Sequence, residues 1–259
     1  MKTLIKNGII VTTENEYKGD ILIEGTKIEA VGRNLRVEAD KIINAEDMYI
    51  LPGGVDQHAH FSFEFMGERT KGFETTNAAA LGGTTTVIEF VNQEQGKGLV
   101  ETVEAYRKEW VEGISMVDYS FHPVITDPTP ETFKDIKNLP AAGYPTVKLF
   151  MAYKGQFFHS DDEAVTNALL EAKDAGVTVM VHAENADLID LMQKKAIANG
   201  DTDPYHHALT RPPIVETEAT ERAINLSRFA EAPIYIVHVT TEGAVNAIKK
   251  AKEEGLPVY

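Results

Sequence analysis

From Pro52 onward the chain repeats one pattern: a short apolar run, then a longer stretch with apolar residues every three or four positions. The short runs are GVDQHAH, TTTVIEFVN, VDYSFHPVI, PTVKLFMAY, VTVMVHAE and PIYIVHVT. Among them lie helical stretches such as LVETVEAYRKEWVEG, DDEAVTNALLEAKDAG, TEATERAINLSRFAEA and EGAVNAIKKAKEEG. Strands that alternate with helices cross over right-handedly and build a parallel sheet. That leaves a doubly wound sheet or a (β/α)8 barrel. No G-x-G-x-x-G follows an early strand and no P-loop occurs, which weighs against the nucleotide-binding sheet. The closing Leu256-Pro257-Val258-Tyr259 reads as the first residues of a seventh strand. The expected fold class is therefore α/β, a TIM-like (β/α)8 barrel that is incomplete here, with six strands and the start of a seventh.

Residues 1–51 have a different texture. LIKNGIIVT, DILIEGTKIEAVG and DKIINAEDMYI are short strands broken by Asn-Gly and Glu-Gly turns, as in a small β-sandwich lobe. Leu51-Pro52-Gly53-Gly54 is the natural hinge out of it, so the expected domains are 1–51 and 52–259.

Composition removes several function classes. The net charge of −15, with no block of Lys and Arg, argues against a nucleic-acid partner. No run of about 18 apolar residues predicts a membrane span, and the first strand lacks the features of a signal peptide. The absence of cysteine excludes disulfides, thiolate metal sites and cysteine nucleophiles, and is compatible with the expected cytoplasmic location. Any metal must be held by nitrogen and oxygen.

In a barrel, chemistry gathers at the C-terminal ends of different strands. Here His58 and His60 end the first strand, Lys148 lies in the fourth, His182 ends the fifth and His238 ends the sixth. Four histidines at three strand ends would meet at one barrel mouth, which packing alone does not require, and imidazoles suit Zn²⁺ and similar divalent ions. His122, in FHPV, reads as structural, and His159 as solvated; His206 and His207, in DPYHHALTRPP, fit either a loop or a short helix. Lys148 is flanked by Val147, Leu149 and Phe150. An unpaired ammonium is costly there. Two outcomes are open: the side chain snorkels to the rim, or its neutral amine takes up carbon dioxide as a carbamate, an anionic ligand able to bridge two metals.

The segments GGVDQHAH, VKLFMAYKG, VMVHAEN, HALTRPPIVETEAT and IYIVHVTT resemble the amidohydrolase superfamily, and within it the hydantoinase and dihydropyrimidinase group of cyclic amidases. The resemblance runs over essentially the whole chain. It implies two divalent ions, Zn²⁺ in the first instance, with His58 and His60 on the more buried ion and His182 and His238 on the other. N6-carboxylated Lys148 would bridge them, and the Tyr153 hydroxyl would stabilise the oxyanion. The implied reaction is hydrolysis of a small cyclic amide or ureide to an N-carbamoyl amino acid, by a full-length protein that is a homotetramer. Phe61, Phe63, Phe65 and Met66, after the first strand, would face the substituent on the substrate ring.

Two features of the family are expected beyond Tyr259: an eighth strand ending in a metal-binding, proton-shuttling aspartate, and further strands of the small lobe. The chain therefore reads as the N-terminal part of a cyclic amidase, inactive alone. The alternatives are an allantoinase, a dihydroorotase or a non-catalytic scaffold relative. Phe61-Ser62-Phe63 after the histidine pair, where a dihydroorotase would place a cationic grip, disfavours that enzyme, and filled ligand positions disfavour the scaffold.

Overall fold

The computed structural model describes residues 1–62 and 68–259, together with the backbone of Glu64–Phe65. Contacts divide the chain into two compact units, Met1–Gly54 and Val55–Tyr259.

The first unit holds β1 (Lys2–Val11), β2 (Glu16–Glu24), β3 (Lys27–Gly32), β4 (Lys41–Asn44) and β5 (Tyr49–Ile50). They form one mixed sheet in the order β3-β2-β1-β4, with β5 also on β1. β1 pairs antiparallel with β2 and parallel with β4 and β5. The register of β1 shifts between Ile5 and Gly8, where Asn7 takes a left-handed φ of 66°. Buried Asp20 accepts the Asn7 and Leu35 amides there, at 2.9 and 2.8 Å. Of the expected sandwich, the described residues supply this one sheet.

The second unit is built on β6 (Gly54–Ala59), β9 (Thr84–Asn92), β10 (Asp118–Val124), β11 (Thr146–Phe150), β12 (Thr178–His182) and β13 (Ile234–Ile236). Between β6 and β9 lies a short hairpin of β7 (Glu64–Phe65) and β8 (Glu68–Arg69). The main sheet runs in chain order, β6-β9-β10-β11-β12-β13, and its pairings from β9 to β13 are parallel. The helices are α1 (Thr76–Leu81), α2 (Leu99–Trp110), α3 (Pro130–Asp135), α4 (Asp162–Ala175), α5 (Ala186–Asn199), α6 (Tyr205–Leu209), α7 (Pro213–Ala230) and α8 (Glu242–Glu253). None among the described residues is long and apolar enough to cross a membrane.

Strand alternation sorts the side chains into two layers. Val147, Leu149, Val179 and Val181 pack outward with Val165, Leu169 and Ala219 of the helices, forming the main core. Phe90, Val124, Met180 and Val237 form a smaller cluster on the opposite, inner face. The sheet is curled around that inner cluster. β6 and β13 stand at opposite ends of the strand order, yet Gln57 Nε2 donates to Tyr235 Oη at 3.2 Å. Beyond β13, Val258 bridges Ile234 in parallel, and Ile236 N and Tyr259 N donate to Tyr259 O and Ile234 O at 2.8 and 2.9 Å. The described strands are thus an open part of a barrel wall.

Short polar caps start α4, α5 and α8, which follow β11, β12 and β13. Asp161, Asn185 and Thr241 each accept an amide of the first turn, at 2.9, 3.0 and 3.3 Å. α4 ends on Gly176, whose φ of 69° returns the chain to β12.

Candidate metal centre

The inner layer carries the histidines. Ala59 faces the helix-covered core, so its neighbours His58 and His60 face the other way, against Phe90 at ring distances of 4.5 and 5.0 Å. His182 ends β12 two residues after inner Met180. His238 breaks the alternation. Val237 already points inward, so a regular strand would turn His238 outward. Instead its φ of 37° redirects the side chain, and its ring lies 5.1 Å from His58 and 4.6 Å from His182. His58 and His60 stand 5.5 Å apart. The four imidazoles expected from the strand ends are therefore one connected cluster.

Burial, reinforced by the amine of Lys148, lowers the pKa of His58 to about 4. Burial, with His182 and Lys148 as neighbours, does the same for His238. His60 is lowered too, again by enclosure first and Lys148 second. His60 and His238 keep exposed surface overall, but their rings are packed against Phe90 and His182 respectively. Imidazoles held neutral present lone pairs, which is the form that ligates metal.

Lys148 does not snorkel. It is 1% exposed, and its Nζ has no hydrogen-bond partner. The nitrogen lies over the Phe90 and Phe150 rings, 5.3 and 4.9 Å from their centroids. Two ring faces do not offset the burial of an ammonium with three unsatisfied donors, and burial pulls the Lys148 pKa well below the ordinary lysine value. The side chain is a buried amine without a hydrogen-bond partner, close enough to His58, His60 and His238 to bear on their protonation.

That donor set fits divalent ions in chemistry: imidazole nitrogens, no thiolate, and an amine whose carbamate would be an anionic oxygen ligand. Among the described residues no three His, Asp or Glu side chains already form a metal cage. The imidazoles meet edge-on or tilted, at ring distances of 4.6–5.5 Å.

Tyr153 stands beside the cluster, 5.4 Å ring to ring from His182. Its φ of 62° lies in a region that a bulky residue rarely adopts. Burial, and then the charge of Glu184, raise its pKa, which keeps the phenol protonated. A cavity of about 530 Å³ opens next to it, lined by Tyr153, Phe157, Phe158, Gln193 and Arg211 among others.

Other expectations fare differently. Both ring nitrogens of His122 are occupied, by Thr146 Oγ1 at 2.6 Å and Gln57 O at 3.1 Å, as a structural histidine requires. His159 is not solvated. The segment after β11 folds back so that residue 159 bridges Phe150, and the half-buried ring meets Ala152 O at 2.8 Å. His206 and His207 lie in the short helix α6. Phe61 turns away from the cluster, since alternation puts it on the side of Ala59, and packs on Phe73 at 5.2 Å. Phe63 and Met66 lie outside the described residues, as does the side chain of Phe65.

Two polar residues at the site, and one behind the strand end that carries His60, went unassigned in the sequence. Glu184 Oε2 is 2.6 Å from His182 Nε2, and Arg211 Nε is 3.8 Å from Glu184 Oε1. A carboxylate two positions after a strand-end histidine was the available signal. Glu89, fully buried on β9, accepts the Phe61 amide at 2.5 Å and so anchors the chain just after His60. An acid inside the apolar run TTTVIEFVN marked it.

The comparisons agree with this geometry. Residues 49–257 match the family model described as the Amidohydrolase family. A D-hydantoinase of Geobacillus stearothermophilus is 43% identical over 262 residues, covering 100% of this chain and 55% of its own length. A dihydropyrimidinase of Dictyostelium discoideum is 38% identical, covering 99% of this chain and 51% of its own. The crystal structure of dihydropyrimidinase from Brevibacillus agri superimposes with a TM-score of 0.95 at 40% identity, over 100% of this chain and 56% of that one. The chain spans about half the length of the curated relatives it matches. With a curled parallel sheet whose strand ends carry the clustered histidines, and with that match along most of its length, the chain belongs to the amidohydrolase family.

Proposed function

We propose that the whole protein hydrolyses the ring amide of a hydantoin or dihydropyrimidine to an N-carbamoyl amino acid. The similarity to D-hydantoinases and dihydropyrimidinases supports the substrate class. The observation that carries the chemistry is the buried, unpartnered Lys148 amine beside the imidazole cluster. Amidohydrolases are generally metal-dependent. His58 and His60 would hold one divalent ion, His182 and His238 a second, and Lys148 would bridge them as a carbamate. Zn²⁺ suits a set dominated by imidazole. Carbamate formation needs a neutral amine, which burial favours: the Nζ lone pair bonds to the carbon of CO₂, and one N–H proton leaves to solvent. When bound, such ions polarise a substrate carbonyl and lower the pKa of water.

The remaining steps fall to the chain's own groups. Tyr153, kept protonated, donates to the carbonyl oxygen as it gains charge, and its strained backbone fixes the hydroxyl in place. The neighbouring cavity, with Phe157 and Phe158 on its wall, holds the apolar part of the ring. Tyr153→Phe is expected to lower kcat for dihydrouracil by about 10²–10³-fold, the cost of one oxyanion donor, with the bound metal unchanged. An unchanged kcat would remove Tyr153 from the mechanism.

A further inference from the structure

We infer that Glu184 is a positioning residue that sets the tautomer of His182, holding the proton on Nε2 and leaving Nδ1 as the nitrogen offered to a metal. The inference rests on the metal-centre reading above and goes one shell further out.

The contact at issue is the 2.6 Å approach of Glu184 Oε2 to His182 Nε2. A carboxylate has only acceptor lone pairs, so the proton between the two atoms belongs to the imidazole, and a neutral ring then carries its free lone pair on Nδ1. No other hydrogen bond to this ring is made among the described residues. Its remaining neighbours are ring faces and edges: His238 at 4.6 Å, Tyr153 at 5.4 Å and Phe150 at 5.6 Å. These constrain the position of the ring but do not distinguish its nitrogens. Glu184 alone does that.

Glu184 is itself held. Its Oε1 faces Arg211 Nε at 3.8 Å, and Arg211 Nη1 donates to His207 O at 3.3 Å and meets His207 Nδ1 at 3.2 Å. The side chains of His182, Glu184 and Arg211 are only 12%, 18% and 15% exposed, so solvent screens the arrangement weakly. A chain of contacts thus runs from α6 through Arg211 and Glu184 to His182. His122 shows the opposite design, because partners on both nitrogens leave it nothing to offer an ion. A carboxylate on the outer nitrogen of a ligating histidine fixes its orientation and raises its basicity.

The test combines ¹⁵N-histidine NMR of the metal-free protein with Zn²⁺ titration against a competing chelator. The wild type should show His182 as the Nε2–H tautomer. Glu184→Ala should show mixed tautomers and bind Zn²⁺ about 10–100-fold more weakly. Glu184→Gln, whose amide oxygen still accepts from Nε2–H, should keep the tautomer and lie between the two in affinity; it also serves if the alanine variant does not fold. An Nδ1–H tautomer in the wild type overturns the inference, as does a Glu184→Ala variant with wild-type tautomer and affinity. A wild type with the Nε2–H tautomer that takes up no Zn²⁺ would sink the metal reading while upholding tautomer control by Glu184.

Discussion

Glu89 and His122 impose opposite pH dependences on this fold. Burial raises the Glu89 carboxyl to about 8, against the pull of the Phe61, Ser62 and Phe90 amides, and its Oε1 has no partner. The folded state therefore keeps a proton between pH 4.5 and 8 that the unfolded chain has lost, and stability falls as pH rises through that window. At 1.36 kcal/mol per unit the loss is on the order of 4 kcal/mol by pH 8. Glu89→Gln should flatten that slope in urea unfolding at pH 5 and pH 8, and a variant with the wild-type slope would contradict the account. His122 acts in the other direction. Burial lowers it to about 4, so below pH 6.5 the unfolded chain takes up a proton that the folded state refuses, and stability falls as pH drops toward 4. At this scale, His58, His60, Lys148 and His182 were legible because alternation along a strand fixes a side chain's face. The fate of Lys148 was not, since choosing between rim and interior depends on neighbours such as Phe90 and Phe150 that are remote in sequence. Glu184 acts through a contact that spacing alone does not disclose.

Between elements, the return of the chain after β6 depends on one close approach. Gly72 N donates to Phe61 O at 3.0 Å, and a Cβ at residue 72 would stand 2.2 Å from that oxygen and 2.6 Å from the Phe61 carbonyl carbon. The obstacle is backbone and cannot rotate away. Gly72→Ala is therefore expected to cost about 1–3 kcal/mol in chemical denaturation, the usual range for forced overpacking, and a loss under about 0.5 kcal/mol would show that the segment relaxes freely. The helices with strong apolar spacing, such as α4, were plain in the sequence. The conformation of His238 was not, because an irregular φ at a strand end leaves no periodic trace. Similarly, the turn of Phe61 onto Phe73 follows from alternation, but its adjacency to the histidine pair invited the opposite expectation.

Across the whole sheet, burial is graded. Val147 and Leu149 of β11, and Val179 and Val181 of β12, are fully buried and pair with each other in parallel. β6 stands at the end of the strand order among the described residues, with residues 55–57 exposed. Amides of β11 and β12 should exchange hydrogen only through global unfolding, about 10³-fold or more slowly than those of β6. Comparable rates would mean that the sheet opens as one unit. The parallel order was legible from the alternation of elements, and its curl from the histidines at several strand ends together with the missing nucleotide-binding motifs. The curl is seen in long-range pairs such as Gln57 with Tyr235 and His58 with His238, which meet across its inner face. That curl gathers side chains from separate strand ends into one cluster of imidazoles with buried Lys148 nearby. The direct measurement is the metal content of the Zn²⁺-loaded protein and of its Lys148→Ala variant, by elemental analysis after dialysis. The account predicts about two ions per chain in the wild type and loss of both in the variant. Retention of two ions without the lysine would contradict it.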